Sequence, residues 1–431
     1  MSNTNFENKN FTFTSDVQSS ISPNDSFDLK KLSNVNQSLV NFSQVPQIII
    51  SEQEFQELRK LGVRIISGTN PIRGQALRLT NFKLVIKPYS SEHKEISILF
   101  NRNVDEMKQL VLLFKNSNGK YSKSRYPSRF TNKRIIRRLY WKAKKVLEKG
   151  FSKHSDAVMV TLTLPRIFML SVPVKCCGRD YLILLQDSLL TLLKNRLTTW
   201  IRNNWRGRRI ETFTDYEYHD DYALHHHIIF FGIPYLIDWS KKYGRKKEDA
   251  LTYYTRKYGV EIPPGASKSE ISKRIFTKLQ DYWLIDSITK VGSLLGIDLK
   301  GLYHLYKQSN NIDGPINDVR RIKNGNWVDG PPPDGAYYSP SKYVIKYLTK
   351  IMNAVIYGYN IPEQHQAKLI GYWLYGKRFF SHSPSLGPPK EEIEEVEEES
   401  EWEFVGIFEE EEADEIIERN GQDIDEVPEE I

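Results

Sequence analysis

The segment Glu217-Tyr218-His219-Asp220-Asp221-Tyr222-Ala223-Leu224-His225-His226-His227-Ile228-Ile229-Phe230-Phe231-Gly232 holds two strands and the turn between them. Leu224 to Phe231 is a β-favouring run ended by Gly232-Ile233-Pro234, and Arg209 to Tyr218 reads as the strand before it. Side chains alternate across a strand, so His225 and His227 share one face and His226 points to the other. Two imidazoles at i and i+2 can chelate one divalent ion and leave positions open for a phosphate oxygen. If Asp220, Asp221 and Tyr222 form the turn, centred on Asp221, Glu217 stands opposite His225, where cross-strand Cβ atoms lie about 4.5–5.5 Å apart. Glu217 is therefore the candidate third ligand. A surface tract of histidines would look the same in isolation. His93, His154, His219, His304, His365 and His382 are scattered and read as structural or exposed, His219 being set apart by its place beside the turn.

Downstream lies Ser339-Pro340-Ser341-Lys342-Tyr343-Val344-Ile345-Lys346-Tyr347-Leu348-Thr349-Lys350. Ser339 is a plausible N-cap with Pro340 at the first helical position. On that helix Tyr343, Lys346, Tyr347 and Lys350 make one stripe, at i, i+3, i+4 and i+7. Val344, Ile345, Leu348, Ile351, Met352 and Val355 supply the core face, so the stripe is expected on a side the core does not need. A phenolate can attack phosphorus, and a nearby cation can lower its pKa and steady phosphate charge. Interleaved tyrosines and lysines also bind phosphates and bases without reacting. The stripe alone does not choose between gripping a strand and cutting it.

Charge points the same way. Of the 431 residues, those from Lys390 to Ile431 carry 21 acidic against two basic, a net −19, which leaves +26 on residues 1–389. A body that basic suits a polyanionic partner. Arg134, Arg137, Arg138, Lys142, Lys144 and Lys145 cluster on a helix expected from Asn132 to Lys149, and Arg202, Arg206, Arg208 and Arg209 form a second cluster. The only cysteines, Cys176 and Cys177, are adjacent, which excludes a disulfide framework and a cysteine zinc ribbon and suits a reducing cytosol. No apolar run has the length of a membrane span, and the first residues lack the pattern of a signal peptide; a cytoplasmic location is expected.

Residues 1–45, rich in Asn and Ser, are expected to be disordered. In an accessory region, 46–131, strands are expected at 47–50, 77–86 and 96–100 and a helix at 104–114. Asp156 to Leu164 alternates as a strand and stops at Pro165. Tyr181 to Trp205 carries leucines at helical spacing. A Lys-rich helical insertion is expected at about 239–307, a strand at 316–322 and a stiff Pro/Gly loop at 330–335. Tyr372 to Phe380 is aromatic and basic, either a core cap or an exposed stacking surface. Residues 386–431 form an acidic tail with Trp402, Phe404, Val405, Ile407 and Phe408 set among glutamates; the tail is expected to be disordered, or else to bind a partner or fold back over the basic surface.

Three of these segments, in this order, resemble the HUH endonuclease superfamily, specifically the rolling-circle replication initiators of plasmids and viruses. Val158 to Pro165 (VMVTLTLP) is similar to the first motif, Glu217 to Gly232 to the metal-binding second, and Tyr343 to Lys350 (YVIKYLTK) to the nucleophile motif. The resemblance covers about Lys133 to Ser385. It implies an α+β domain, residues 132–385, whose central antiparallel sheet has an RRM-like or ferredoxin-like layout flanked by helices. It also implies His225 and His227 as ligands of Mg²⁺ or Mn²⁺, Tyr343 as nucleophile and Lys346 beside the scissile phosphate. Tyr347 with Lys350 repeats the pattern, as in two-tyrosine enzymes. The substrate would be single-stranded or hairpin origin DNA. The chain lacks a GxxxxGK[ST] phosphate loop, so helicase and polymerase would come from the host, with a sliding clamp as a further partner for the tail. A two-tyrosine transposase and a catalytically silent DNA-binding regulator are the alternatives. The sequence departs from the family at His226, usually apolar, and at the turn, where glycine is common and Asp221-Tyr222 stand instead.

Overall fold

The strand Leu224–Phe231 runs IIFF at its end and does not alternate because it lies in the middle of a sheet and is buried on both faces. The computed structural model describes residues 47–67, 71–80, 86–87, 89–169, 171–219, 221–310, 312, 315, 317–332, 338–357, 363–387 and 402–420. Its elements begin with β1 (Ile48–Ile49), α1 (Glu52–Lys60), β2 (Ile65–Ser67), α2 (Pro71–Thr80), α3 (Ser91–Gln109), β3 (Leu110–Asn116) and β4 (Tyr121–Arg125). There follow α4 (Lys133–Lys153), β5 (Asp156–Leu162), β6 (Ser171–Cys176), β7 (Arg179–Leu184), α5 (Leu185–Asn204), β8 (Glu211–Tyr218) and β9 (Leu224–Phe231). After α6 (Ala250–Tyr258), α7 (Lys268–Leu295) and α8 (Leu299–Asn310) come β10 (Asn317–Lys323), β11 (Asn326–Trp327), α9 (Pro340–Tyr357) and α10 (Glu363–Leu374). The last described elements are β12 (Phe380–His382), β13 (Trp402–Glu409) and α11 (Glu410–Arg419).

The fold is α+β. Its main sheet has six strands in the order β11-β10-β5-β9-β8-β12, every neighbouring pair antiparallel. On one face α5 carries Lys194 to Tyr216 of β8. On the other, Gly150 of α4 touches Phe231, Tyr343 of α9 meets His227, and Lys368 of α10 reaches Glu217. Among the described residues two smaller sheets, β1-β6-β7-β2 and β13-β3-β4, stand beside it.

One hydrophobic core runs from Ile50, Phe55 and Leu58 through Val160, Leu189 and Ile229 to Leu386, so residues ahead of α4 share it with the main sheet. The segment read as an insertion joins β9 to β10, and Phe276, Leu284 and Ile288 of its α7 belong to the same core.

Several expected elements differ. The strand expected at 77–86 gives way to α2 through Thr80, with Ala76 and Leu77 buried. The strand expected at 96–100 is part of α3, whose buried Ile96, Leu99, Phe100, Asn103 and Val104 recur at helical spacing. The helix expected at 104–114 ends at Gln109, and Leu110 starts β3. Tyr181 to Leu184 is the end of β7 and not the start of a helix: a short apolar run has no period of its own, and pairing to β6 and β2 decides it. The tail is not disordered over 402–420. There β13 pairs with β3, and α11 packs Ile417 with Leu113 and Tyr121. The readings for 1–45, 388–401 and 421–431, and for the loop beyond Pro332, lie outside the described residues.

Candidate functional site

The turn after β8 sets the register. Tyr222 adopts a left-handed backbone (φ 64°), which costs a non-glycine residue about 1 kcal/mol or more. Its ring is buried and its hydroxyl lies 2.9 Å from His93 Nδ1, so burial and this hydrogen bond offset the strain. Asp221 accepts the amide of Ala223 at 3.1 Å and pairs with Arg166 at 2.9 Å. Glu217 then stands opposite His225, and Asp215 opposite His227. Across the sheet Thr161 of β5 stands opposite His227.

Alternation brings Asp215, Glu217, His225, His227 and Thr161 to one face. His227 Nε2 lies 2.7 Å from Glu217 Oε2, and its Nδ1 lies 3.0 Å from the Thr161 hydroxyl. His225 Nδ1 lies 3.3 Å from the Thr163 hydroxyl and 3.2 Å from His219 Nε2. Glu217 Oε1 is buried, with the Lys368 ammonium 3.5 Å away. Burial alone would raise the Glu217 carboxyl, but the His227 hydrogen bond and the charges of His227, His219 and Lys368 outweigh it and hold the group at about 2. Burial, then the neighbouring imidazoles His219 and His227, push His225 well below its ordinary range, toward the neutral form that ligates metals. Asp215 goes the other way: burial and the Glu217 charge raise it, against the pull of Lys346.

The tyrosine helix packs over this face. Ser339 opens α9 as expected, its carbonyl accepting the Tyr343 amide at 2.8 Å. Tyr343 is buried, edge-on to His227 with centroids 5.8 Å apart and to Trp327 at 6.0 Å. The Lys346 ammonium sits 4.2 Å over the Tyr343 ring. The stripe therefore splits: Tyr343 turns into the sheet because the histidine face gives it a surface to pack on, while Lys350 is exposed. The side chain of Tyr347 lies outside the described residues.

His226 points to the opposite face, where it meets Tyr216 edge-on at 4.8 Å, and neither of its ring nitrogens has a hydrogen-bond partner among the described residues. Arg134, Arg137, Arg138 and Lys142 are exposed on α4 beside exposed Trp141. Arg206, Arg208 and Arg209 are exposed at the far end of β8; Arg209 is tied to Glu211 at 2.9 Å, and Glu211 lies six residues, about 20 Å, from Glu217. The two basic clusters are thus not one surface around the histidines. Within Tyr372 to Phe380 the rings of Tyr372, Trp373 and Phe379 are buried, so this segment caps the core.

Asp215, Thr161, Thr163, Lys368 and Trp327 stand at the site although the sequence did not single them out, and His219, set apart beside the turn, had been expected to be structural or exposed. Four of them carried a signal. Asp215 and His219 share the parity of Glu217, and Thr161 and Thr163 alternate through the β5 segment toward the same face. Lys368 and Trp327 come from other elements and had none.

The donor set, two imidazoles and a carboxylate, is one that divalent transition metals accept, and buried Glu217 Oε1 is an acceptor such an ion would satisfy. The donor atoms of His225, His227 and Glu217 do not all lie within 4.8 Å of one another, so holding one ion requires the side chains to swing together. Among the described residues no helix is long and apolar enough to cross a membrane. Compared with family models, curated proteins and solved structures, the chain has no match.

Proposed function

We propose that the chain is an endonuclease of the HUH kind that initiates rolling-circle replication, nicking and rejoining single-stranded or hairpin origin DNA in the cytoplasm of a host. The observation that carries this reading is the meeting of Tyr343 with His227 under the Lys346 ammonium. The strand order supports it. Counted along the chain, β10, β5, β9 and β8 stand fourth, first, third and second, with helices after the first and third, which is the order of a ferredoxin-like βαββαβ unit.

His225, His227 and Glu217 would hold the Mg²⁺ or Mn²⁺, which supplies polarisation of the scissile phosphate. Tyr343 loses its proton and its oxygen bonds to phosphorus. The 3′ oxygen leaves and takes up a proton, giving a 5′-phosphotyrosine and a free 3′-hydroxyl for a host polymerase. Lys346 steadies the charge on the phosphate, and Glu217 orients His227. Attack by a DNA 3′-hydroxyl, or by Tyr347 with Lys350 beside it, exchanges the strand. The bond energy is kept in the ester, so no nucleotide is consumed.

A second reading, a silent DNA-binding regulator, is favoured by buried Tyr343 and by the closed His227–Glu217 pair. One experiment divides the two. With Mn²⁺ and single-stranded origin DNA, the wild type should give a covalent adduct that survives denaturing electrophoresis. Tyr343→Phe should remove the adduct and Tyr347→Phe should retain it. No adduct with any origin-like strand leaves the regulator.

A further inference from the structure

The two cysteines and one glutamate converge where neither the histidine face nor the tyrosine helix reaches. Cys176 ends β6, and Cys177 with Gly178 makes the two-residue turn into β7. Both turn residues have positive φ, 49° and 77°, the pattern of a type I′ hairpin turn. Asparagine or glycine is usual at the first of these positions; cysteine there is strained. Neighbouring side chains on an extended strand point to opposite faces, and the left-handed turn breaks that rule for Cys177. Its thiol comes to 3.8 Å from that of Cys176, sulfur to sulfur.

Glu52 opens α1 in the register fixed by the Ser51 capping box. Strand β1 is laid parallel to β6, and the Ile50 amide donates to the Lys175 carbonyl at 3.0 Å, which brings the start of α1 to the β6–β7 hairpin. Glu52 Oε1 accepts from Gln56 at 2.6 Å. Oε2 faces both thiols, 3.4 Å from Cys176 Sγ and 3.2 Å from Cys177 Sγ.

These distances match the edges of a coordination tetrahedron. Zinc bonds of about 2.3 Å to sulfur and about 2.0 Å to oxygen put two sulfurs about 3.8 Å apart and a sulfur and an oxygen about 3.5 Å apart. Among the described residues this is the one group of three such donors whose ligand atoms lie within 4.8 Å of one another. We propose that Glu52, Cys176 and Cys177 form a site for a thiophilic divalent ion of the Zn²⁺ kind, which ties the segment from β1 to α1 to the β6–β7 hairpin. Cys176 is buried, whereas Cys177 and Glu52 are exposed, so the fourth coordination position opens to solvent. Binding replaces both thiol protons, which pass to solvent, and no redox step is involved. Binding displaces the proton that Cys176 Sγ directs at Glu52 Oε2.

The test uses the full chain under reducing conditions, with Co²⁺ as a spectroscopic probe. One equivalent should produce a thiolate-to-cobalt charge-transfer band that Zn²⁺ abolishes by competition and that fades on acidification. Cys177→Ser, at an exposed position, should remove the band, and Glu52→Gln should weaken binding at least about tenfold. Zn²⁺ should raise the melting temperature of the wild type and not of Cys177→Ser. Cobalt held by His225 and His227 gives no thiolate band, so this outcome is independent of the nuclease proposal. Absence of the band, or a band unchanged in Cys177→Ser, overturns the site.

Discussion

At the residue scale the pairing of Glu217 with His227 has two consequences. Their 2.7 Å contact fixes the imidazole in place, yet it is shorter than the separation of about 3.0 Å that two donors adopt around one octahedral ion with bonds of about 2.1 Å. Small rotations open the pair, and the carboxylate, held ionised far below its ordinary range, is ready as a ligand. Glu217→Gln keeps the shape and removes the charge. Manganese affinity, read by calorimetry or electron paramagnetic resonance, should fall by about 10- to 100-fold, the usual loss when a metal-orienting partner is removed. Affinity equal to wild type would take Glu217 out of the site. His219 deserves the same measurement, since its contact with His225 makes it a positioning residue for that imidazole.

At the element scale the site depends on how closely α4 lies against the sheet. A Cβ on Gly150 would meet the Phe231 ring at 2.5–2.8 Å, and this ring is fully buried, so Gly150→Ala must push α4 outward. Such overpacking costs about 1–3 kcal/mol, and a urea midpoint lowered by that amount is expected even though alanine favours helices. The C-terminal end of α4 is tied down electrically. Lys153 and His154 hold Glu211 at 2.6 and 2.8 Å, and Ser385 donates to it at 2.6 Å. Burial would raise this carboxyl, but these hydrogen bonds bring it from 4.5 to about 2. A depressed carboxyl stabilises the fold above its unfolded pKa, and that stability drains as pH falls from about 4.5 toward 2. Between about pH 5 and about pH 3 the wild type should therefore lose more stability than Glu211→Gln, which starts lower at neutral pH. Equal slopes in denaturant melts would refute the assignment.

The same scale shows what the sequence made legible. Parity and turn length placed Glu217 opposite His225, because a strand has a period of two and a short hairpin leaves no freedom of register. Parity also separated His226 from its neighbours. Tyr343 differs: helical spacing put it on a stripe, but only the approach of α9 to β9 decided that the stripe would be buried at one end. The short strand β7 and the helix α3 were misread because their type follows from pairing and packing with distant segments, which local periodicity does not carry.

At the scale of the whole molecule, charge is divided between a body of +26 and a tail of −19. The described part of the tail is a structural unit that rests on β3 and β4. Strand β13 adds to β3, Ala413 and Ile417 are buried, and Lys123 pairs with Asp414. Phe404, Val405 and Ile407 remain exposed on β13, while the carboxylates of α11 face outward. The unit thus holds a block of negative charge at the β3–β4 edge of a basic protein. Repulsion of a phosphate strand by fixed charges fades once the Debye length, about 10 Å at 0.1 M salt, becomes shorter than the separation. Removing residues 402–431 should strengthen non-specific binding of single-stranded DNA by about tenfold at 0.02 M salt, with the gap closing as salt rises past about 0.2 M. Truncation also uncovers Leu113 and Tyr121, so a variant with the carboxylates of Glu410, Glu411 and Glu412 neutralised to glutamine keeps the apolar contacts and should move affinity in the same direction. A gap that persists undiminished at high salt would mean that the tail covers the DNA surface directly, and equal affinities at low salt would mean that it does not act on DNA at all.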